Sequence, residues 1–155
     1  MEPDLDALLA LSQADRGYIA GFFDGEGSAT VHDKKRKAPT FRVAIVQNRI
    51  SVLVWLQSLF GGHITGYDYV SKTPNGSKYK QNSHYWTLNG VDAPKFFLRF
   101  VLPHLRVKRE EVLVLLHLME NRHTMTEEEK DATYMRMREI RAEGSALRIV
   151  ENEDG

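Results

Sequence analysis

The chain has 155 residues, which is enough for one domain with a hydrophobic core. It contains no cysteine, and this excludes disulfides, thiolate zinc sites and cysteine nucleophiles. No apolar stretch reaches the roughly 18 residues that a membrane span needs. The acidic start of the sequence differs from a secretory signal or a transit peptide, so we expect a soluble, reducing compartment, either the cytoplasm or an organelle matrix.

The charges are distributed unevenly along the chain, although they sum to zero. Residues 28–123 carry a net charge of +9, whereas residues 1–27 carry −5 and residues 124–155 carry −4. A basic middle segment favours a surface that faces a polyanion such as nucleic acid. Chance clustering of surface lysines is the alternative reading of the same charges.

Hydrophobic periodicity and turn residues predict an α-β-β-α-β-β-α order followed by further helices. The predicted elements are, in chain order, a helical turn at 4–10, a helix at 13–24, strands at 28–33 and 40–47, a helix at 51–60, strands at 63–70 and 83–88, and helices that begin at 92, 108 and 127. Two hairpins covered by helices on one face form an α+β fold with one open sheet face. We expect a single domain over residues 1–155, with a core at about 12–123 and a helical extension at about 124–150.

The helix at 13–24 and the two residues after it combine three glycines with two acids. Gly17, Gly21 and Gly25 are spaced four apart and share one helix face, although each costs about 1 kcal/mol relative to alanine. The strip predicts close approach by another helix, either from the same domain or from a second subunit. Asp24 and Glu26 follow at the helix C-terminus, where the macrodipole disfavours each anion by roughly 0.3–1 kcal/mol. A bound cation would offset that cost.

One segment closely resembles the LAGLIDADG motif of homing endonucleases, namely residues 19–27 with the sequence IAGFFDGEG. A single copy is present, so the chain is similar to the single-motif, homodimeric branch of that family. The order of elements, Gln47 at a strand end and the run Phe60-Gly61-Gly62 extend the resemblance over about residues 12–123. It implies an αββαββα fold with a saddle-shaped antiparallel sheet of four strands.

The resemblance also implies roles for individual residues. Glu26 matches the acid that binds the metal directly, and Gly25 matches the position whose backbone carbonyl lies beside the metals. Gln47 matches a polar residue that orders water, and Lys108 resembles a basic residue near the scissile phosphate. Asp24 matches an earlier acid that secures the helix end. The implied cofactor is Mg²⁺, with Mn²⁺ as a substitute. With the glycine spacing, the predicted dimer interface comprises Gly17, Ala20, Gly21 and Asp24.

The open face of the sheet and its loops are predicted to bind double-stranded DNA, and each subunit would read half of a long pseudo-palindromic target. The predicted DNA-binding residues are Ser28, Thr30, His32, Lys34, Lys35, Arg36, Lys37, Arg42, Arg49, Tyr67, Tyr69, Lys72, Lys78, Lys80, Gln81 and His84. Trp86 is expected on the same face. Stacking of single-stranded bases on the aromatic residues is an alternative use of this surface.

The function that the resemblance implies is metal-dependent, site-specific cleavage of both DNA strands, leaving 3′ overhangs, in the service of intron mobility. The main alternative is a catalytically inactive relative that kept the fold to bind DNA or RNA, such as a transcription regulator or an intron maturase. A third reading is an α+β interaction domain whose glycine strip serves dimerisation alone. Retention of Glu26, Gln47 and Lys108 favours the nuclease.

Overall fold

The computed structural model describes the backbone of residues 2–32, 34 and 38–153, and it describes their side chains except at 67–71, 79–81 and 145–153. The elements are α1 (Leu5–Ala10), α2 (Gln13–Glu26), β1 (Gly27–Val31), β2 (Phe41–Gln47), α3 (Ile50–Phe60), β3 (His63–Lys72), β4 (Lys78–Gly90), α4 (Asp92–Val101), a 3₁₀ turn (Leu102–His104), α5 (Arg109–Asn121) and α6 (Glu127–Glu153). Across the described residues, every helix is too short or too polar to cross a lipid bilayer.

The four strands form one antiparallel sheet in the order β1-β2-β4-β3. Alternate residues of β2 are buried against the helices, and their neighbours on β4 are Leu88 and Trp86. Aromatic rings fill the space between sheet and helices: the ring of Phe97 on α4 lies 5.3 Å from Phe23, 4.9 Å from Phe60 and 5.2 Å from Trp86. The predicted α+β fold with a four-stranded antiparallel sheet is confirmed.

Helix α2 begins with a side-chain cap and ends without a loop. The Ser12 hydroxyl accepts a hydrogen bond from the backbone N–H of Asp15 at 3.0 Å, as the sequence predicts. The helix runs two residues further than predicted, through Glu26, and β1 starts at the next residue, Gly27. A β-carbon on Gly27 would lie 2.1 Å from the ring of Phe23 and 2.8 Å from its carbonyl oxygen. The direct change from helix to strand therefore requires glycine at this position.

The second hairpin is longer than the sequence predicts. Strands β3 and β4 are paired without interruption from Lys72 opposite Lys78 to His63 opposite Thr87. The predicted loop over residues 71–82 is therefore a tight turn around Gly76, whose φ is +87°. Lysines and polar residues made this stretch resemble a loop, but the backbone hydrogen bonds of a ladder do not depend on apolar side chains.

The prediction that Trp86 and His84 face away from the helices is wrong. Trp86 is fully buried, and its indole N–H donates to the carbonyl of Gly61 at 2.9 Å. His84 lies two residues earlier on the same strand and therefore on the same face. It is paired with Gly66, and a β-carbon there would lie 3.1 Å from the imidazole Nδ1. Successive strand residues alternate, so both side chains share the helix-covered face.

Helix α6 is attached to α5 and to the free edge of β1 by two arginines. Arg136 forms an ion pair with Glu110 at 2.6 Å. Arg141 binds Glu111 at 2.6 Å and also donates to the backbone carbonyl of Ala29, at 3.4 Å. Because β1 is an edge strand of the sheet, α6 lies along the edge of β1 that faces away from β2.

Candidate active site at the end of helix α2

The exposed carboxylate of Glu26 stands at the junction between α2 and β1. Within the described part of the chain it accepts no hydrogen bond and forms no ion pair. The preceding residue, Gly25, is also exposed. Its carbonyl is one of the last four of the helix, which lack a donor from a following turn. The end of α2 therefore carries two kinds of oxygen ligand, the Glu26 carboxylate and the Gly25 carbonyl. The negative end of the helix macrodipole adds further negative charge there.

Asp24, two residues earlier, is surrounded by donors. Its carboxylate accepts hydrogen bonds from the backbone N–H groups of Arg106 at 2.8 Å, Val107 at 3.0 Å and Lys108 at 2.8 Å. The side chain is only 8% exposed. We refer to Asp24, Arg106, Val107 and Lys108 as the Asp24 junction. It ties the end of α2 to the segment that leads into α5, in agreement with the structural role inferred from the sequence.

The hydrogen bonds at the Asp24 junction determine the charge state of its acid. Burial raises the pKa of the Asp24 carboxyl, but the three backbone N–H donors and the charge of Lys108 outweigh burial and hold the pKa below its ordinary value of 3.8. The carboxyl is therefore ionised at neutral pH. An ionised acid here stabilises both the segment around Val107 and the ammonium beside it.

Lys108 is the N-cap residue of α5 and is half-buried. Its ammonium group donates a hydrogen bond to the backbone carbonyl of Asp24. Since that carbonyl lies two residues before Glu26, the ammonium is held at the same helix end as the exposed carboxylate. Arg106, which the sequence analysis missed, is exposed on the same segment. The basic run from Arg106 to Arg109 was the signal that could have identified it.

Gln47 is the last residue of β2, and the register brings it to the same end of the sheet. Gly27 pairs with Ile45, so Gln47 lies two residues, or about 7 Å, beyond that pair. Its amide oxygen accepts a hydrogen bond from the N–H of Asn48 at 2.8 Å. Arg49 follows as the exposed N-cap of α3. We call Gly25, Glu26, Gln47 and Lys108 the Glu26 site.

The donors of the Glu26 site fit a hard divalent cation, but one chain supplies few of them. Carboxylate, carbonyl and amide oxygens are ligands that Mg²⁺ accepts, together with water. Among the described residues, no three histidine, aspartate or glutamate side chains are grouped closely enough to hold a metal ion. A cation at Glu26 would therefore depend on water, DNA phosphate or a second subunit for its remaining ligands.

The glycine strip of α2 is open. A β-carbon at Gly17, Gly21 or Gly25 would meet no described atom within 4 Å. Within the described part of the chain, the three glycines therefore accommodate no other helix, which was one of the two sequence-based readings. The predicted interface needs a correction at Ala20 and Asp24, because Ala20 is fully buried and the Asp24 carboxylate is used within the chain. Both belong to the inward side of α2, with Phe23.

The face of the sheet opposite the helices carries Ser28, Thr30 and Arg42, all exposed as predicted. The guanidinium of Arg42 donates to the side-chain oxygen of Asn89 at 2.8 Å. His32 is exposed just beyond β1. Asn89 was not among the predicted residues, although its alternation with the buried Trp86 and Leu88 places it on this face.

The structure describes the side chains of only some of the residues predicted to bind DNA through the loops and the second hairpin. Lys34, beside β1, and Lys72 and Lys78, at the tip of the second hairpin, are exposed. The predictions for Lys35, Arg36 and Lys37, and for the side chains of Tyr67, Tyr69, Lys80 and Gln81, lie outside the described residues.

Solved structures with the same fold include complexes of a homing endonuclease. No protein-family model and no curated protein sequence matches this chain. The homing endonuclease I-CvuI with the I-CreI target in 2 mM Mg, in which the DNA is not cleaved, has a TM-score of 0.51 and 18% identity. I-CvuI with its target Sro1.3 in 2 mM Ca gives 0.53 and 16%. Each match covers 87% of this chain and 82% of the other. The chain thus shares the arrangement of strands and helices of I-CvuI.

Proposed function

We propose that this chain is a LAGLIDADG homing endonuclease that cuts double-stranded DNA at a specific site as a homodimer. The observation that carries the proposal is the Glu26 site: a free, exposed carboxylate at a helix end, with the Lys108 ammonium held at the same helix end by the carbonyl of Asp24. The motif that contains this carboxylate and the fold shared with I-CvuI support the same conclusion.

The residues of the Glu26 site have complementary roles in phosphodiester hydrolysis. Glu26 and the carbonyl of Gly25 would hold Mg²⁺, or Mn²⁺ as a substitute. A bound divalent cation would polarise the phosphate and lower the pKa of a coordinated water. Lys108 would stabilise negative charge that develops on the phosphate oxygens. Gln47 would orient water through its side-chain amide, which can both donate and accept.

The open glycine strip supports the proposed homodimer. Two copies of α2 packed along Gly17 and Gly21 would approach closely, because glycine leaves the helix backbone uncovered. Tyr18, beside the strip, is 54% exposed and would gain cover in the same contact. A two-fold axis there would bring two copies of Glu26 together, and the shared cations would offset their repulsion.

The DNA would lie on the open faces of the two sheets. Strands can enter the major groove, where an arginine such as Arg42 can bind a guanine with two hydrogen bonds. Exposed lysines at the hairpin ends, such as Lys72 and Lys78, would bind phosphates and set the register. Two-fold symmetry makes the target pseudo-palindromic, with one half-site for each subunit.

The nuclease is tested by replacing Glu26→Gln and comparing cleavage with binding. A pool of randomised duplexes is incubated with the wild-type protein in Mg²⁺, and the cut fragments identify a target. On that target we expect Glu26→Gln to bind with unchanged affinity but to cut about 100-fold more slowly or worse, since losing even an outer partner of a metal ligand costs 10–100-fold.

Glu120→Gln is the matched control, because Glu120 is an exposed acid on α5 that pairs with Arg99, away from the site. It should cut like the wild type. If the wild-type protein selects and binds a duplex but never cuts it in Mg²⁺ or Mn²⁺, the nuclease proposal fails. The inactive DNA-binding alternative would then describe the chain.

The dimer is tested separately with Gly21→Leu. A side chain at position 21 points into open space in one subunit, so the monomer should fold, but it would block the approach of the second helix. We expect the dimer dissociation constant measured by sedimentation equilibrium to rise at least about tenfold, which corresponds to 1.4 kcal/mol. Gly144→Leu, at another open helical glycine, is the control. Unchanged dimerisation of Gly21→Leu would exclude the strip as the interface.

A further inference from the structure

We propose that α6 adds a phosphate-binding site to the DNA-facing surface, at the free edge of β1, where Lys34 and Arg138 bind one phosphodiester group of the duplex backbone. This inference rests on the proposed DNA binding and extends it to a helix for which the sequence suggested no role. The site is a cavity of about 220 Å³ between β1 and α6.

The cavity is continuous with the open face of the sheet. Thr30, which is exposed on that face, lines it from the β1 side, and Tyr134 and Arg138 line it from α6. A water molecule needs roughly 10–15 Å³ of such space, so the cavity has room for the oxygens of a phosphodiester group. It is open to solvent where DNA lying on the sheet would pass.

Two of the cations around the cavity are available for a ligand. Arg138 is exposed and forms no hydrogen bond or ion pair within the described part of the chain. The Lys34 ammonium lies 5.2 Å from the ring centre of Tyr134, and this contact fixes it without neutralising it. Arg141 also lines the cavity, but it is bound to Glu111 and to the carbonyl of Ala29. It therefore attaches α6 rather than binding a ligand.

The described residues that line the cavity carry only positive charge. None of the described residues that line the cavity is acidic. Glu127 and Asp131, in the first two turns of α6, lie close enough to Tyr134 to add to the effect of burial, which raises the pKa of its hydroxyl. Arg138 follows Tyr134 by one turn, on the side away from these acids. An anion would enter from the side of Thr30 and Arg138.

A duplex phosphate is the anion that this position favours. β1 is the edge strand of the sheet, so when the open face lies in a DNA groove, a sugar-phosphate strand runs along that edge. Half to two-thirds of protein–DNA hydrogen bonds go to phosphates and sugars, and arginine forms strong, directional bonds with them. The contact would strengthen binding to every sequence equally, because a phosphate carries no base information.

The test measures how binding to a mixed-sequence duplex depends on salt, by fluorescence anisotropy. Each lost phosphate contact makes the slope of log K against log salt less steep by about 0.9, so a dimer that loses one contact in each subunit should change by about 1.8. We expect this change for Arg138→Gln and for Lys34→Gln, and we expect Arg138→Lys to restore most of the slope. Arg99→Gln, which removes one positive charge from α4 within a surface ion pair, should leave it unchanged.

The outcomes separate this inference from the proposed function. If the wild-type protein binds duplex DNA but Arg138→Gln and Lys34→Gln keep the wild-type slope, the phosphate site is refuted and the endonuclease proposal stands. If the slope changes equally in Arg99→Gln, net charge rather than a site explains it, and the inference fails. If the wild-type protein does not bind DNA at all, both proposals fall.

Discussion

The Asp24 junction and the Glu26 site lie at the same helix end, yet their acids have opposite surroundings. The carboxylate of Asp24 is buried and accepts three backbone hydrogen bonds. The carboxylate of Glu26 is exposed, and no described group binds it. A chain gains stability from the first arrangement and gains none from the second. The difference shows which acid belongs to the fold and which is left for chemistry.

Among changes to these two regions, Asp24→Asn should have the largest effect on the free energy of unfolding. The amide keeps one oxygen acceptor, but its NH₂ group would face a backbone N–H that now has no acceptor. The change also removes the negative charge beside Lys108. We expect a loss of about 3 kcal/mol in the free energy of unfolding, since removing one partner from a buried charged network costs that much. Urea denaturation followed by circular dichroism measures it.

Glu26→Gln is the matched control for Asp24→Asn. It makes the same chemical change two residues away on an exposed, unpartnered side chain, so the free energy of unfolding should stay within about 0.5 kcal/mol of wild type. Equal losses in the two variants would contradict the division between a structural acid and a functional one.

Gly27→Ala should have the next largest effect, because Gly27 joins β1 to the helix end that carries both regions. Its β-carbon would overlap both the ring and the carbonyl oxygen of Phe23, and the helix would have to shift at the end that carries Glu26. Overpacking of this kind costs about 2 kcal/mol. At Gly25, a β-carbon meets no described atom, so Gly25→Ala should not destabilise the single subunit. A thermal unfolding scan of both variants compares them directly. Equal melting temperatures would contradict the requirement for glycine at position 27.

Lowering the pH should have the smallest effect on the free energy of unfolding, and it should act through protonation of Asp24. The folded-state pKa of Asp24 lies below 3.8, so its ionised form stabilises the fold above about pH 4. That contribution decreases as the pH falls from about 4 through the lower folded-state pKa. The difference in unfolding free energy between wild type and Asp24→Asn should therefore be constant near neutral pH and shrink below pH 4. A difference that stays constant below pH 4 would refute this stabilising role of the ionised Asp24 carboxylate.

Local signals in the sequence predicted much of the fold. The cap at Ser12 and the end of α3 at Gly61, whose φ is +74°, depend on neighbouring residues alone. The alternation in β2 predicted which of its residues are buried. Such features can be predicted from the sequence because each depends on residues only a few positions apart in the chain.

The errors concern contacts between distant segments. Ala20 was assigned to the predicted dimer interface, but residues of a helix turn by about 100° each, and the packing of α2 places Ala20 beside the buried Phe23. Trp86 was assigned to the open face, although the carbonyl of Gly61 and the ring of Phe97 enclose it. Periodicity gives relative positions on an element, whereas tertiary packing decides which side is inward.

The candidate site was predicted in part for the same reason. Glu26 and Gly25 are recognisable from a continuous motif. The three N–H groups around Asp24 come from a segment 82 to 84 residues later, and no local pattern shows that they meet. The cavity between β1 and α6 joins residues more than 100 positions apart, such as Thr30 and Arg138, and is likewise invisible without the fold.

The attachment of Arg141 to Ala29 also bears on aggregation. A free edge strand such as β1 offers unpaired backbone groups to which a strand of another molecule can add. The guanidinium of Arg141 occupies one of those carbonyls, and an incoming strand would have to displace it. Displacement would also separate Arg141 from the largely buried Glu111. The C-terminal helix thus opposes the addition of another strand at this position of β1, while the face that would meet DNA stays accessible.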